Sequence, residues 1–135
     1  MHVFFYGLFM DEALLARKGI RPTNVATGSV DGLALRIGER ATLERSAGAR
    51  TYGLVMTIDD TKVQELYTEE SVADYVAETV VVELADGSKV QAFCYILPAD
   101  KITGTNKGYA ASLRELATRL GFPDAYLEQI RKATI

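Results

Sequence analysis

The chain has 135 residues, 48% apolar and 24% charged, which predicts one domain over residues 1–135 with its own core and argues against intrinsic disorder. Fifteen Lys and Arg against eighteen Asp and Glu leave a net charge of −3, no electrostatic footprint for nucleic acid or an anionic membrane. One cysteine, Cys94, and one histidine, His2, exclude an internal disulfide, a cysteine-rich metal site and an imidazole pair for zinc, and a Ser or Cys nucleophile would have only the near-terminal His2 as its base.

The first predicted element is a strand, His2 to Tyr6 (H-V-F-F-Y), a short apolar run stopped by Gly7 and suited to burial on both faces. The stretch Met1–Met10 lacks a basic n-region and runs into Asp11-Glu12, so it reads as a strand rather than a signal peptide. No run approaches the ~20 apolar residues of a membrane span. With Cys94 unpaired, a cytoplasmic location is expected. From Asp11, the spacing of Leu14, Leu15 and Lys18 before Gly19 predicts one or two helical turns. Between Asn24 and about Ile58 the pattern is β-like but broken by Gly28, Gly32, Gly38, Gly48 and Gly53, which predicts several short strands in a curved sheet or small barrel.

Thr61-Lys62-Val63-Gln64 resembles a capping box, followed by Val63, Leu66 and Tyr67 at helical spacing. Tyr75–Leu84 and Lys89–Leu97 read as a hairpin around Ala85-Asp86-Gly87-Ser88, where Asp-Gly supplies the positive φ angles of a tight turn. Tyr109, Leu113, Leu116 and Leu120 form a helical stripe ended by Gly121 and Pro123; Asp124 then caps a last helix carrying Tyr126, Leu127 and Ile130. The predicted fold class is α+β: a small, bent, mostly antiparallel sheet or barrel with flanking helices.

Two features could carry chemistry. Tyr6-Gly7-Leu8-Phe9-Met10 joins a strand to a helix, and such a junction can point N–H groups at a carboxylate or a developing oxyanion. Asp59, Asp60, Glu65, Glu69, Glu70 and Asp74 crowd together with only Lys62 for balance. Glu69 and Glu70 are adjacent, so their side chains diverge; they make a poor glycosidase pair, but either one can serve as a lone general base. Cys94 reads as a small buried core residue and His2 as structural.

Over nearly its whole length the chain resembles the gamma-glutamylcyclotransferase-like (AIG2-like) family. That family's Y-G-[ST]-x-[LM] loop is matched by Tyr6-Gly7-Leu8-Phe9-Met10, its G-x-x-x-x-G stretch by Gly48-Ala49-Arg50-Thr51-Tyr52-Gly53, and its L-D-x-x-E-G segment by Leu66-Tyr67-Thr68-Glu69-Glu70-Ser71. A tyrosine-led strand starts at Tyr75, an A-x-x-Y strand is matched by Ala92-Phe93-Cys94-Tyr95, and G-x-P-x-x-Y-[IL] by Gly121-Phe122-Pro123-Asp124-Ala125-Tyr126-Leu127. Leu8 stands where the family carries a hydroxyl residue, and Tyr67 and Ser71 replace the aspartate and glycine of L-D-x-x-E-G.

The resemblance implies Glu70 as the catalytic glutamate and Tyr6, Gly7, Leu8, Phe9, Met10, Tyr75 and Tyr95 as substrate-binding residues. It implies no metal, no cofactor and a small γ-glutamyl compound as substrate, acted on by a monomer or homodimer without nucleic acid or membrane. In the implied reaction the substrate's own α-amino group attacks its γ-carbonyl, releasing 5-oxoproline and an amine. One carboxyl group in apolar surroundings, with Leu8, Phe9, Leu66 and Tyr67 as candidate walls, can take and return the proton. The alternative is a catalytically weak or inactive binding protein on the same scaffold.

Overall fold

The computed structural model describes residues 1–134. The N-terminal run forms β1 (His2–Phe5), in which Val3, Phe4 and Phe5 are all buried because the strand has a neighbour on each side and packing on both faces. The next helix, α1 (Glu12–Arg17), starts where the Asp11 carboxylate accepts from the N–H groups of Ala13 at 2.9 Å and Leu14 at 3.4 Å.

The punctuated region is not a set of short strands. It forms two long ones, β2 (Thr23–Ile37) and β3 (Ala41–Thr57), paired antiparallel along nearly their whole length. Gly28, Gly32, Gly48 and Gly53 lie within these strands without ending them, and only Gly38 falls in the turn that joins the two; the register shifts between Asp31 and Leu33, where Gly32 adopts φ +83°. Gly28 and Gly53 face each other across the pair, and each lets another strand approach. A Cβ on Gly53 would stand against the Phe5 carbonyl and the Phe4 ring of β1; one on Gly28 would meet Val82 and the Glu83 carbonyl.

Helix α2 (Asp60–Leu66) is capped by Asp59, whose carboxylate accepts from Thr61 N–H at 2.9 Å, so Thr61 lies inside the helix rather than at its cap. Strands β4 (Val76–Leu84) and β5 (Lys89–Ile96) form the expected hairpin. Only Gly87 has positive φ (+85°) in its turn; Asp86 instead accepts from Ser88 N–H at 2.9 Å. Helix α3 (Lys107–Arg119) buries Leu113, Leu116 and Ala117, and α4 (Asp124–Lys132) buries Tyr126 and Ile130. The residue flanking α4 is Pro123, with Asp124 already in the first turn, because the Pro123 carbonyl takes the N–H groups of Tyr126 and Leu127.

The five strands close into a barrel in the order β1-β3-β2-β4-β5, and the seam is the parallel pairing of β1 with β5 at Val3 and Phe93. One apolar core runs through it, with Phe4, Met10, Leu15, Ile37, Met56, Leu113 and Ile130 almost wholly removed from solvent. Cys94 is buried within it, as expected. Among the described residues no helix is long and apolar enough to cross a membrane.

Candidate functional site

At the C-terminal end of β1 the chain leaves the barrel through Gly7 and a single 3₁₀ turn, Leu8–Met10. This turn roofs a cavity of about 270 Å³, near the lower end of the roughly 300–1,000 Å³ typical of small-molecule pockets. Tyr6, Gly7, Leu8 and Phe9 contribute from the turn, Leu14 and Lys18 from α1 and its end, and Arg40 and Ala41 from the start of β3. The opposite wall is Tyr67, Glu69, Ser71, Val72 and Tyr75, closed by Tyr109 from α3.

The walls are aromatic and mutually braced. Phe9 meets Phe5 edge-on at 5.8 Å and Tyr67 edge-on at 5.9 Å, while Tyr67 lies nearly parallel to Tyr95 at 3.9 Å. The Tyr6 hydroxyl donates to the Tyr95 carbonyl at 2.7 Å, and that of Tyr75 donates to the Ala41 carbonyl. Burial raises the pKa of Tyr6, Tyr67, Tyr75 and Tyr109, so all four remain neutral phenols, giving the cavity hydrogen-bonding capacity without phenolate charge.

Helix α3 reaches the cavity by a local device. The Asn106 side chain accepts from Tyr109 N–H at 2.9 Å, starting the helix one turn before the cavity and aiming the Tyr109 ring inward. Its hydroxyl oxygen accepts from Leu8 N–H at 3.2 Å. It also explains Gly7, whose φ of −110° suits any residue: a Cβ there would stand 2.6 Å from that oxygen.

The expected site residues divide. Tyr6, Gly7, Leu8, Phe9 and Tyr75 do line the cavity, as does the expected wall residue Tyr67. Met10 does not; it is buried in the core because the 3₁₀ turn directs it beneath the roof. Tyr95 stands behind Tyr67, and Leu66 is buried in the core under α2. The two adjacent glutamates diverge as expected, but with their places exchanged. Glu69 precedes a 3₁₀ turn (Glu70–Val72) and lines the cavity; Glu70, the first residue of that turn, is exposed and borders a neighbouring depression of about 340 Å³. Nor are the loop's N–H groups all free for a ligand: Leu8 donates to Tyr109, and Met10 donates to the Gly7 carbonyl at 3.0 Å.

Three polar residues in the walls carried no usable local signal. Lys18, read only as part of a helix end, holds Glu69 with an Nζ–Oε1 distance of 2.6 Å. Arg40 lines both the cavity and the neighbouring depression. Tyr109 was legible only as one member of an apolar stripe. Among the described residues, Glu69 is the sole carboxylate in the cavity lining, and no group of three or more His, Cys, Asp or Glu could hold a metal ion.

The family model for "Gamma-glutamyl cyclotransferase, AIG2-like" matches residues 3–113. No curated protein matches the chain. A solved structure named "Gamma-glutamyl cyclotransferase" superposes with TM-score 0.76 at 17% identity, covering 96% of this chain and 85% of that one. YkqA from Bacillus subtilis gives TM-score 0.77 at 20% identity over 98% of this chain, which corresponds to 53% of that longer protein. An uncharacterized Homo sapiens protein, loc79017, gives 0.72 at 20% identity over 96% of this chain and 85% of its own. At these identities the superpositions speak for the fold.

Proposed function

Since the chain belongs to the gamma-glutamyl cyclotransferase, AIG2-like family, we propose that it cyclises a small γ-glutamyl compound to 5-oxoproline with release of an amine, using Glu69 as the general base and acid. The observation that supports this most directly is that Glu69 is, among the described residues, the sole carboxylate of an aromatic-walled cavity set beneath the loop that follows β1. Glu70, which the motif register selects, borders the adjoining depression instead, so geometry favours its neighbour.

The chemistry asks little of the protein beyond this. In the folded-back substrate the α-nitrogen lies within reach of the γ-carbonyl carbon, and a cavity that holds this conformer turns the attack into an oriented intramolecular step. Glu69 accepts a proton from the α-ammonium; the nitrogen bonds to the γ-carbon, the tetrahedral intermediate collapses, and the bond to the departing amine breaks. That amine takes back a proton through the same carboxyl group. Neutral phenols around the cavity supply polarity without a competing charge, and the contact with the Lys18 ammonium holds the Glu69 side chain in place at rest.

A second reading, binding without turnover, draws support from the loop's internal hydrogen bonds, which occupy Leu8 and Met10 N–H donors that an oxyanion would want. The test is incubation with a panel of γ-glutamyl amines and amino acids, assayed for 5-oxoproline. Release that is lost in Glu69→Gln supports the enzyme. Thermal stabilisation by panel members without release supports the binding protein.

A further inference from the structure

We infer that Lys18 is the residue that recognises the substrate's α-carboxylate, and that it does so by exchanging its bond to Glu69 for one to the incoming carboxylate. This rests on the cyclotransferase reading above and deepens it. The head of a γ-glutamyl compound carries its ammonium and its carboxylate on one carbon, so it presents opposite charges only a few ångströms apart. The cavity wall presents the complementary arrangement: a Lys18 ammonium and a Glu69 carboxylate in contact at 2.6 Å, with side chains 28% and 40% exposed. Placed against this pair, the α-ammonium meets Glu69 and the α-carboxylate meets Lys18.

The exchange has a functional consequence. In the empty cavity a Glu69 oxygen is occupied by the lysine; with substrate bound, the lysine has a second carboxylate to bond, and Glu69 is left facing the ammonium whose proton must be removed. A ligand lacking the α-carboxylate leaves the lysine on Glu69. Lys18 is thus a specificity and positioning residue, and the same contact that selects the substrate releases the base. Arg40, the other cation of the wall, is shared with the neighbouring depression and has no ion pair with Glu69, so it is the competing candidate that the test must separate from Lys18.

Reach favours this assignment. Lys18 is the C-cap residue of α1, held by its backbone N–H to the Leu15 carbonyl at 3.0 Å, so the flexible side chain can shift between two acceptors while its anchor stays fixed. The pair joins segments 51 residues apart, which the fold must bring together around the cavity.

The test compares γ-glutamyl methylamide with its α-carboxamide counterpart on wild type, Lys18→Met, Lys18→Arg and Arg40→Met. One charge-assisted hydrogen bond to the carboxylate predicts that Lys18→Met lowers the kcat/KM ratio of carboxylate over carboxamide by about 10- to 100-fold, with Lys18→Arg recovering part of it. A purely structural role would lower both substrates together and leave the ratio unmoved, which overturns the inference. Collapse of the ratio in Arg40→Met but not in Lys18→Met also overturns it. If wild type releases no 5-oxoproline, the cyclotransferase reading has failed, and the same ratio is taken from calorimetric affinities of the two probes. A carboxylate preference that disappears in Lys18→Met still supports the assignment; a preference that persists there, or is absent in wild type, ends it.

Discussion

The backbone N–H of Leu8 donates to the Tyr109 hydroxyl oxygen at 3.2 Å, joining the first loop of the chain to a helix 101 residues later. The same oxygen occupies the space that a side chain at position 7 would need. Gly7→Ala is therefore expected to destabilise by about 1–3 kcal/mol through overpacking. Tyr109→Phe should cost about 1 kcal/mol by leaving Leu8 N–H without its acceptor. The double variant should cost clearly less than the sum, because removing the oxygen removes the clash. Urea unfolding of the four proteins measures the coupling, and strict additivity would show that the oxygen is not what excludes a methyl group.

The adjacent glutamates give a sharper test of the site. Glu69→Gln keeps shape and removes proton transfer, so turnover should fall by about 10²–10⁴. Glu70→Gln, at an exposed position bordering the other depression, should remain within a few-fold of wild type. Steady-state release of 5-oxoproline at one pH separates them. The reverse ranking would restore the residue that the motif register selects.

Leu8 is half-buried in the cavity wall, where it supplies apolar surface rather than a hydroxyl. Leu8→Ser should move preference toward polar leaving portions. If only apolar volume changes, the shift in relative kcat/KM stays within about 10–200-fold; a new paired hydrogen bond would take it further. Matched γ-glutamyl substrates with apolar and polar leaving groups measure it, and an unchanged ratio would mean that Leu8 does not meet the departing group.

The buried thiol makes an alkaline prediction. Burial, with Glu78 nearby, pushes Cys94 up to about 12 from an ordinary 9.0. Between those values the unfolded chain has lost a proton that the folded chain keeps, so stability contributed by the neutral thiol is complete below pH 9 and is lost as pH climbs toward 12. Cys94→Ala should melt lower throughout, because it leaves a small void, but its melting temperature should decline less steeply between pH 9 and 11 than that of wild type. Parallel declines would remove Cys94 from the alkaline response.

Where pattern and packing agree, the sequence was readable. The run His2–Tyr6 is apolar at every position after His2 because β1 is flanked on both sides, and Asp86-Gly87 marks the β4–β5 turn because glycine alone takes the φ > 0 it needs. The long β2 and β3 strands were not readable, since a glycine that bends a strand and a glycine that ends one look alike; only the facing of Gly28 and Gly53 tells them apart. The choice between Glu69 and Glu70 was equally hidden. They are neighbours in the chain, and the 3₁₀ turn that sends one inward and the other outward has no distinctive composition. Lys18 and Tyr109 bear on the site only because barrel closure carries distant segments to one end of β1.

Closure also sets the order in which the molecule can be assembled. The strand that bears the cavity loop is made well before its partners, which are residues 54–57 and, at the seam, Phe93. During synthesis β1 lacks both of its partner strands until β3 has emerged, and the ring cannot shut before β5 is made. Such long sequence separations place the chain among slow folders, whose unpaired edges invite association between copies. The seam that shuts the barrel therefore links folding yield to site formation: a partly made chain has neither, and one late docking event delivers both.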